Sequence, residues 1–266
     1  MNFIFILAIF VQVSGKPSKA PGRGDLRVYK GRNDTNNEFP FAVSLQKKNP
    51  PVRFCTGSLI AENWVLTAAH CVCQEGWSPN DIVIRYGEYT KPANETTMYS
   101  NVIKIFVHPS ALAIIKRHDI ALILTEKIPS QNFAKLLAID YGTFVGLPVK
   151  YAGFGLITKQ VFVKDNKLIR KLTSLQIGEG IVTPCTSIYT GLLCIAPMCS
   201  NKRQQARPGD SGGPLVYDGR VIGVAKSISL DDSITRYTPV SPYLQWIQNV
   251  HGGNTISDYH NDCSFD

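Results

Sequence analysis

The sequence of 266 residues predicts an all-β protein that ends in a single helix. Short runs rich in β-branched and aromatic residues recur along the chain, and turn residues separate them, as is typical of strands. These runs are 41–45, 64–66, 82–86, 102–107, 120–124 and 221–225. Between residues 241 and 250, apolar side chains instead recur at the three- and four-residue spacing of a helix. Many strands with one terminal helix favour β-barrels or a β-sandwich.

The composition excludes several other classes of protein. Hydrophobic residues make up 44% and charged residues 18% of the chain, which is typical of a globular protein and not of a disordered one. The formal net charge of +8 favours contact with acidic surfaces but identifies no partner. The densest basic stretch, 159–171, is interpreted as a solvated loop and strand edge, with a polyanion-binding patch as the alternative. We expect no nucleic-acid partner and no membrane partner.

The two ends of the chain differ from the rest. Residues 3–11 form an uncharged apolar run that is too short to cross a bilayer, and small residues follow it. We therefore interpret residues 1–15 as a signal peptide, which predicts a secreted, extracellular protein. Residues 16–27 combine Pro, Gly and charge without periodicity and are interpreted as a pro-segment. Residues 251–266 form a polar C-terminal tail.

Two further features agree with a secretory route. The chain contains seven cysteines, which suit an oxidising compartment. Asn33 and Asn94 each begin an Asn-x-Thr triplet, so both could accept N-glycans.

Three segments carry residues suited to nucleophilic catalysis. They are Thr67-Ala-Ala-His-Cys71, His118-Asp-Ile-Ala-Leu122 and Gly209-Asp-Ser-Gly-Gly-Pro-Leu215. A serine nucleophile needs a base that accepts its proton and an acid that orients the base, and His70, Asp119 and Ser211 would supply these groups. The tetrahedral intermediate also needs backbone N–H donors, which Gly209 and Ser211 can provide as an oxyanion hole.

Together, these segments resemble the chymotrypsin/trypsin family of serine peptidases, and the resemblance extends from Val28 to Val250. It implies two six-stranded antiparallel β-barrels with a C-terminal helix, and a catalytic triad in the cleft between the barrels. It also implies that the domain over 28–250 hydrolyses peptide bonds through an acyl-enzyme on Ser211. Its partners would be protein or peptide substrates and serpin-type inhibitors. No cofactor and no metal ion are expected.

The resemblance also implies activation by proteolysis. Family precursors are cut before an apolar residue, whose new ammonium group binds the aspartate that precedes the catalytic serine. Arg27 followed by Val28 is similar to that cleavage site, and Asp210 is the matching aspartate. Without the cut, the buried Asp210 would lack its cation. Cleavage after Arg27 further implies an activating protease of trypsin-like specificity. Tyr29 and Lys30 depart from the family pattern.

The resemblance accounts for some of the cysteines. It implies one disulfide between Cys55 and Cys71, beside the catalytic histidine, and another between Cys185 and Cys194. The family's bridge along the substrate pocket is missing, because Arg207 stands where one of its cysteines is usual. Cys73, Cys199 and Cys263 remain unassigned.

The residues that match the family's specificity pocket differ from those of trypsin. Gln205 matches the base of the pocket, where a carboxylate would be needed to pair with a substrate Arg or Lys. Thr235 and Ile228 match the walls, where large-pocket members have glycine. The pocket therefore resembles that of elastase and predicts cleavage after small or medium apolar residues such as Ala, Val or Leu.

One position raises an alternative function. Lys226-Ser227-Ile228 replaces the family's usual Ser-Trp-Gly, whose serine lies near the triad aspartate. Lys226 could compete with His70 for Asp119, or it could point to solvent. The alternative to an active peptidase is a catalytically weak or inactive homologue that acts as a binding protein.

Overall fold

The computed structural model describes residues 28, 31–50, 52–74, 76–87, 98–112, 118–155, 161–164, 167–170, 174–198, 204–228 and 233–253. The predicted signal peptide, pro-segment and second glycosylation site lie outside these residues, as do Cys199, Cys263 and the tail beyond 253.

The first half of the described chain forms a closed barrel of antiparallel strands. The elements up to its last strand are β1 (Arg32–Asn33), β2 (Ala42–Lys47), β3 (Val52–Ala61), β4 (Trp64–Thr67), α1 (Ala69–Val72), β5 (Ile82–Tyr86), β6 (Met98–Val107) and β7 (Ala121–Thr125). Hydrogen bonds join the barrel strands in the order β2-β3-β4-β7-β6-β5, and β5 pairs with β2 to close the ring. Side chains alternate between the two faces of each strand, so Leu45, Leu66 and Ile84 are completely buried inside.

The second half forms another closed barrel. The elements are β8 (Pro148–Gly153), β9 (Val161–Lys164), β10 (Lys167–Arg170), β11 (Gln176–Thr183), β12 (Leu193–Pro197), β13 (Pro214–Tyr217), β14 (Arg220–Ile228) and β15 (Thr235–Pro239). The ring order is β8-β11-β12-β15-β14-β13, and β13 pairs with β8. β1 adds to the start of β11, while β9 and β10 form a separate hairpin. Because each sheet closes into its own barrel, its first and last strands pair with each other and leave no open edge.

The helix predicted near the C-terminus is present. A single 3₁₀ turn over Ser241–Tyr243 leads into α2 (Leu244–His251). Its apolar face, formed by Trp246, Ile247 and Val250, is buried against the rest of the protein. Two six-stranded antiparallel barrels with a short C-terminal helix confirm the predicted fold class. In the part of the chain that the structure describes, no helix has both the length and the apolarity needed to cross a membrane.

Disulfides reinforce both barrels. Cys55 in β3 is bonded to Cys71 in α1, which ties the helix that follows β4 to the first barrel. Cys185 is bonded to Cys194 at the start of β12 in the second barrel. Cys73 is also disulfide-bonded.

Candidate active site

His70 and Asp119 meet at the edge of the first barrel. His70 lies in α1, directly after β4, and Asp119 lies just before β7, which pairs with β4. The backbone N–H of His70 donates to Asp119 Oδ1 at 2.9 Å, and His70 Nδ1 lies 2.8 Å from Asp119 Oδ2. An ionised carboxylate only accepts hydrogen bonds, so Nδ1 is the donor here, and in a neutral ring Nε2 is the nitrogen that accepts a proton.

The environment of Asp119 favours its ionised form. Burial by itself would raise the pKa of Asp119, but hydrogen bonds from His70 and the nearby charge of Lys226 outweigh it and hold the pKa below its ordinary value. The Nζ atom of Lys226 lies 3.6 Å from Asp119 Oδ2, and only 11% of its side chain is exposed. Of the two orientations considered for Lys226, the structure therefore shows the one in which the lysine shares the carboxylate with His70.

Ser211 lies in a glycine-rich turn that contacts both barrels. Its carbonyl accepts a hydrogen bond from Thr56 N of β3 at 2.8 Å, while Gly212 N donates to Ala225 O of β14 at 2.8 Å. Gly212 has a φ of 79°, and a methyl group there would overlap the Thr67 hydroxyl and the Thr56 carbonyl. Only glycine suits such a conformation in so narrow a space. The close contact with Thr67 places the serine turn beside the start of the segment that carries His70.

The backbone around Ser211 presents unused donors. Gly209 has a φ of 92°, and its carbonyl accepts a hydrogen bond from the Thr56 hydroxyl at 3.0 Å. In the described part of the chain, the N–H groups of Gly209 and Ser211 have no hydrogen-bond acceptor. Two such amides can stabilise the oxyanion of a tetrahedral intermediate.

The structure brings the base and the acid into direct contact, but not the base and the serine. Among the described residues, no hydrogen bond joins Ser211 Oγ to His70. Catalytic hydrogen bonds of this kind are often long in the absence of substrate and tighten when it binds. The arrangement is thus suited to nucleophilic catalysis once substrate closes the remaining gap.

Asp210 is completely enclosed behind the serine. Its Oδ1 accepts from Gly155 N at 2.8 Å, and its Oδ2 accepts from Arg207 N at 2.7 Å. Burial raises the pKa of Asp210 to about 7, although the hydrogen bonds from Arg207 and Gly155 oppose the rise. The positive charges of Arg207 and Arg53 also oppose the rise. Val28 is buried in the core of the second barrel.

Two of the residues assigned to the specificity pocket lie together in the second barrel. Gln205 and Thr235 are both buried, with 4% and 2% of their surface exposed. The hydroxyl of Thr235 accepts a hydrogen bond from Ala206 N at 3.4 Å, next to Gln205. Ile228 ends β14, but its side chain lies outside the described part of the structure.

Among the described residues, one group of potential metal ligands lies beside this site. Cys55, His70 and Cys71 have ligand atoms within 4.8 Å of one another. Because the two cysteines are bonded to each other, neither offers a thiolate to a metal ion. This group is therefore explained by the disulfide next to the histidine.

Thr56 is the residue that the sequence did not identify. It donates to the carbonyls of Gly209 and Ser211, and its own carbonyl accepts from the Thr67 hydroxyl at 2.9 Å. Its partners in the serine turn lie more than 150 positions away along the chain, at a separation of 153 for Gly209. A local motif carries no signal for such a contact.

Comparisons with known proteins agree with this geometry. A family model described as Trypsin matches residues 28–247. The chain is 28% identical to "Trypsin-3" of Salmo salar, over 86% of the chain and 95% of that protein. It is 27% identical to "Anionic trypsin" of Canis lupus familiaris, over 96% of the chain and 100% of that protein. It is also 27% identical to "CLIP domain-containing serine protease B9" of Anopheles gambiae, over 84% of its length and 63% of that protein. The fold, the site and these similarities show that the chain belongs to the trypsin family of serine proteases.

Proposed function

We propose that this protein is a secreted serine endopeptidase, made as an inactive precursor and activated by cleavage after Arg27. The observation that carries the proposal is the pair of hydrogen bonds between His70 and Asp119, at 2.9 and 2.8 Å, beside a serine turn with two unused amides. Each group that a serine peptidase needs has a candidate among these residues.

The proposed mechanism follows from these contacts. Ser211 Oγ attacks the substrate carbonyl while His70 Nε2 accepts its proton. The negative charge of Asp119 stabilises the imidazolium that forms, and the N–H groups of Gly209 and Ser211 hold the oxyanion. His70 then protonates the leaving amine, which leaves an acyl-enzyme on Ser211. Water, activated by His70, hydrolyses that ester and restores the serine.

Secretion remains part of the proposal. Asn33, one of the two predicted glycosylation sites, lies on the exposed strand β1. Its amide oxygen accepts a hydrogen bond from Ser174 Oγ at 3.1 Å and another from Gln176 Nε2, which leaves its Nδ2 as the atom for glycan attachment. An extracellular peptidase of this kind would meet a trypsin-like activating protease and serpin-type inhibitors.

The direct test of the function is covalent labelling. The recombinant precursor is cut after Arg27, its new N-terminus is verified as Val28, and it is treated with a fluorophosphonate probe beside the Ser211→Ala variant. We expect labelling of the parent and none of the variant, because only an activated serine reacts with the probe. A correctly processed, folded parent that takes up no probe would contradict the proposal.

A second function is favoured by one observation, the ion pair of Lys226 with Asp119 at 3.6 Å. A cation on the carboxylate that orients His70 weakens the stabilisation of the imidazolium, and a homologue with little activity could act as a binding protein. The same labelling experiment separates the two functions, since a binding protein would remain unlabelled while it stays folded.

The proposed substrate preference leads to a specificity prediction. Processed parent is expected to cleave a P1-varied peptide library after Ala, Val or Leu, because Gln205 offers a buried amide and no counter-charge. The Gln205→Asp variant should raise cleavage after Arg or Lys by at least roughly tenfold, since a carboxylate at the pocket base pairs with the cation. Gln248→Asp on the exposed face of α2 adds the same charge elsewhere and serves as the control. Preferred cleavage after Arg or Lys by the parent itself would overturn the assignment of the pocket.

A further inference from the structure

One residue of the first barrel binds both halves of the candidate oxyanion hole. The hydroxyl of Thr56, in β3, donates to the Gly209 carbonyl at 3.0 Å, and the backbone N–H of Thr56 donates to the Ser211 carbonyl at 2.8 Å. Because peptide groups are planar, a residue whose carbonyl is held has little freedom left to turn its own N–H. Thr56 thus contacts the two residues whose N–H groups the proposed mechanism assigns to the oxyanion.

Gly209 in particular needs a contact from outside its own turn. Its φ of 92° is open to glycine, but glycine also adopts many other backbone conformations, so local sterics do not select this one. The bond from the Thr56 hydroxyl spans a separation of 153 positions along the chain and connects the serine turn to the other barrel. The orientation of the Gly209 peptide therefore depends on a tertiary hydrogen bond.

The surroundings of Thr56 fix the direction of its hydroxyl. The side chain is completely buried, and its hydroxyl also accepts a hydrogen bond from Phe154 N at 3.3 Å. A methyl group added at Gly213 would lie 3.3 Å from Thr56 Cγ2, so the methyl of Thr56 lies close to the backbone after the serine. A β-branched side chain has few rotamers, and here one donor and one acceptor are both satisfied. The hydroxyl is thus held in place before it acts on Gly209.

We propose that Thr56 is a positioning residue whose hydroxyl keeps the Gly209 N–H turned toward the oxyanion. This inference deepens the proposed function and rests on it, because it assigns a residue to the same site. Thr56 acts through Gly209 and does not itself bind the substrate. The oxyanion exists only in the tetrahedral state, so loss of the hydroxyl should lower kcat and leave KM nearly unchanged.

Kinetics of variants at position 56 supply the first test, on protein cut after Arg27. Thr56→Val removes the hydroxyl at nearly the same shape and should lower kcat roughly 10- to 100-fold, with KM within about twofold of the parent value. Thr56→Ser keeps the hydroxyl and should restore most of kcat. A peptide aldehyde, which forms a tetrahedral adduct with the serine, should bind Thr56→Val more weakly by about the factor lost in kcat.

A matched control removes a different buried hydroxyl of the same barrel. Thr125 in β7 is buried, and its hydroxyl donates to the Glu126 carbonyl at 2.8 Å. Thr125→Val makes the same chemical change at a residue outside the site, so kcat should equal that of the parent. Thr56→Ala is a second variant without the hydroxyl, should the packing around β3 reject valine.

The second readout needs no activity. The NMR order parameter of the Gly209 amide should be about 0.85 in the parent and in Thr56→Ser, and below about 0.6 in Thr56→Val. The Ser211 amide should stay rigid in all three proteins, because the backbone N–H of Thr56 still binds its carbonyl. A rigid Gly209 amide in Thr56→Val, or equal losses of kcat in the serine and valine variants, would overturn the inference. A parent that takes up no fluorophosphonate would defeat the proposed function, whereas the order parameters would still decide whether the hydroxyl orients Gly209.

Discussion

Replacement of Ser211 by alanine is expected to lower kcat/KM of the processed enzyme about 10⁵- to 10⁶-fold, because the acyl-enzyme can no longer form. His70→Ala should cost about as much, since the serine hydroxyl then has no base. The two residues act in one step, so the double variant should be no slower than either single variant. The measurement is steady-state hydrolysis of the preferred peptide by protein whose N-terminus is verified as Val28.

The controls for this prediction separate chemistry from folding. Ser187→Ala changes an exposed serine that is not among the site residues and should leave kcat/KM unaltered. Circular dichroism and thermal unfolding should be nearly the same for Ser211→Ala and the parent, since Ser211 is only partly buried and its Oγ makes no hydrogen bond among the described residues. Multiplicative losses in the double variant would show that the residues act independently and would argue against a shared mechanism.

The catalytic candidates could be identified from the sequence because the requirements on them are local. Ser211 lies in a tight turn, and that turn requires glycine at 209 and at 212, where φ is 92° and 79°. His70 follows a strand directly and Asp119 precedes one, so short segments of sequence carry both. The strands that the sequence predicts, such as 82–86, are those rich in apolar and β-branched residues.

The features that the sequence could not predict depend on long-range contacts. β3 is not among the predicted strands, because its buried interior includes Thr56 and Ser58, which a criterion based on apolar runs rejects. The direction of Lys226 follows from the bulge at the β14–β15 pairing, and the position of a bulge is not marked in the sequence by glycine. For β3 and for Lys226 alike, the conformation depends on pairing with a strand that lies elsewhere in the chain.

Activation is expected to depend on Asp210 and Arg27. The carboxylate of Asp210 is buried with two backbone donors, and the charges of Arg207 and Arg53 do not prevent its pKa from rising to about 7, so we expect it to be stabilised by the ammonium that cleavage before Val28 would create. Processed Asp210→Asn should therefore lose about 10²- to 10³-fold in kcat/KM, or about 3–4 kcal/mol, which lies in the range expected for a broken buried pair. Arg27→Gln should remain unprocessed by a trypsin-like activator. Asp218→Asn removes an exposed carboxylate and is the matched control.

The pH dependence of the precursor tests the same pair. The pKa of Asp210 is raised to about 7 by burial, from an ordinary value of 3.8, so the folded precursor binds a proton that the unfolded chain releases. The free energy of unfolding should therefore fall as the pH rises from about 4 through 7, by about 4 kcal/mol relative to Asp210→Asn, in which this dependence is absent. After cleavage, the new ammonium lowers the pKa of Asp210, and the difference between parent and variant should disappear over that range. Urea unfolding of the parent and of Asp210→Asn at pH 4 and pH 8, before and after processing, measures this loss in all four proteins. If the precursor shows no excess loss of stability toward pH 8, then its buried carboxylate already has a counter-charge, and cleavage after Arg27 cannot act by supplying one.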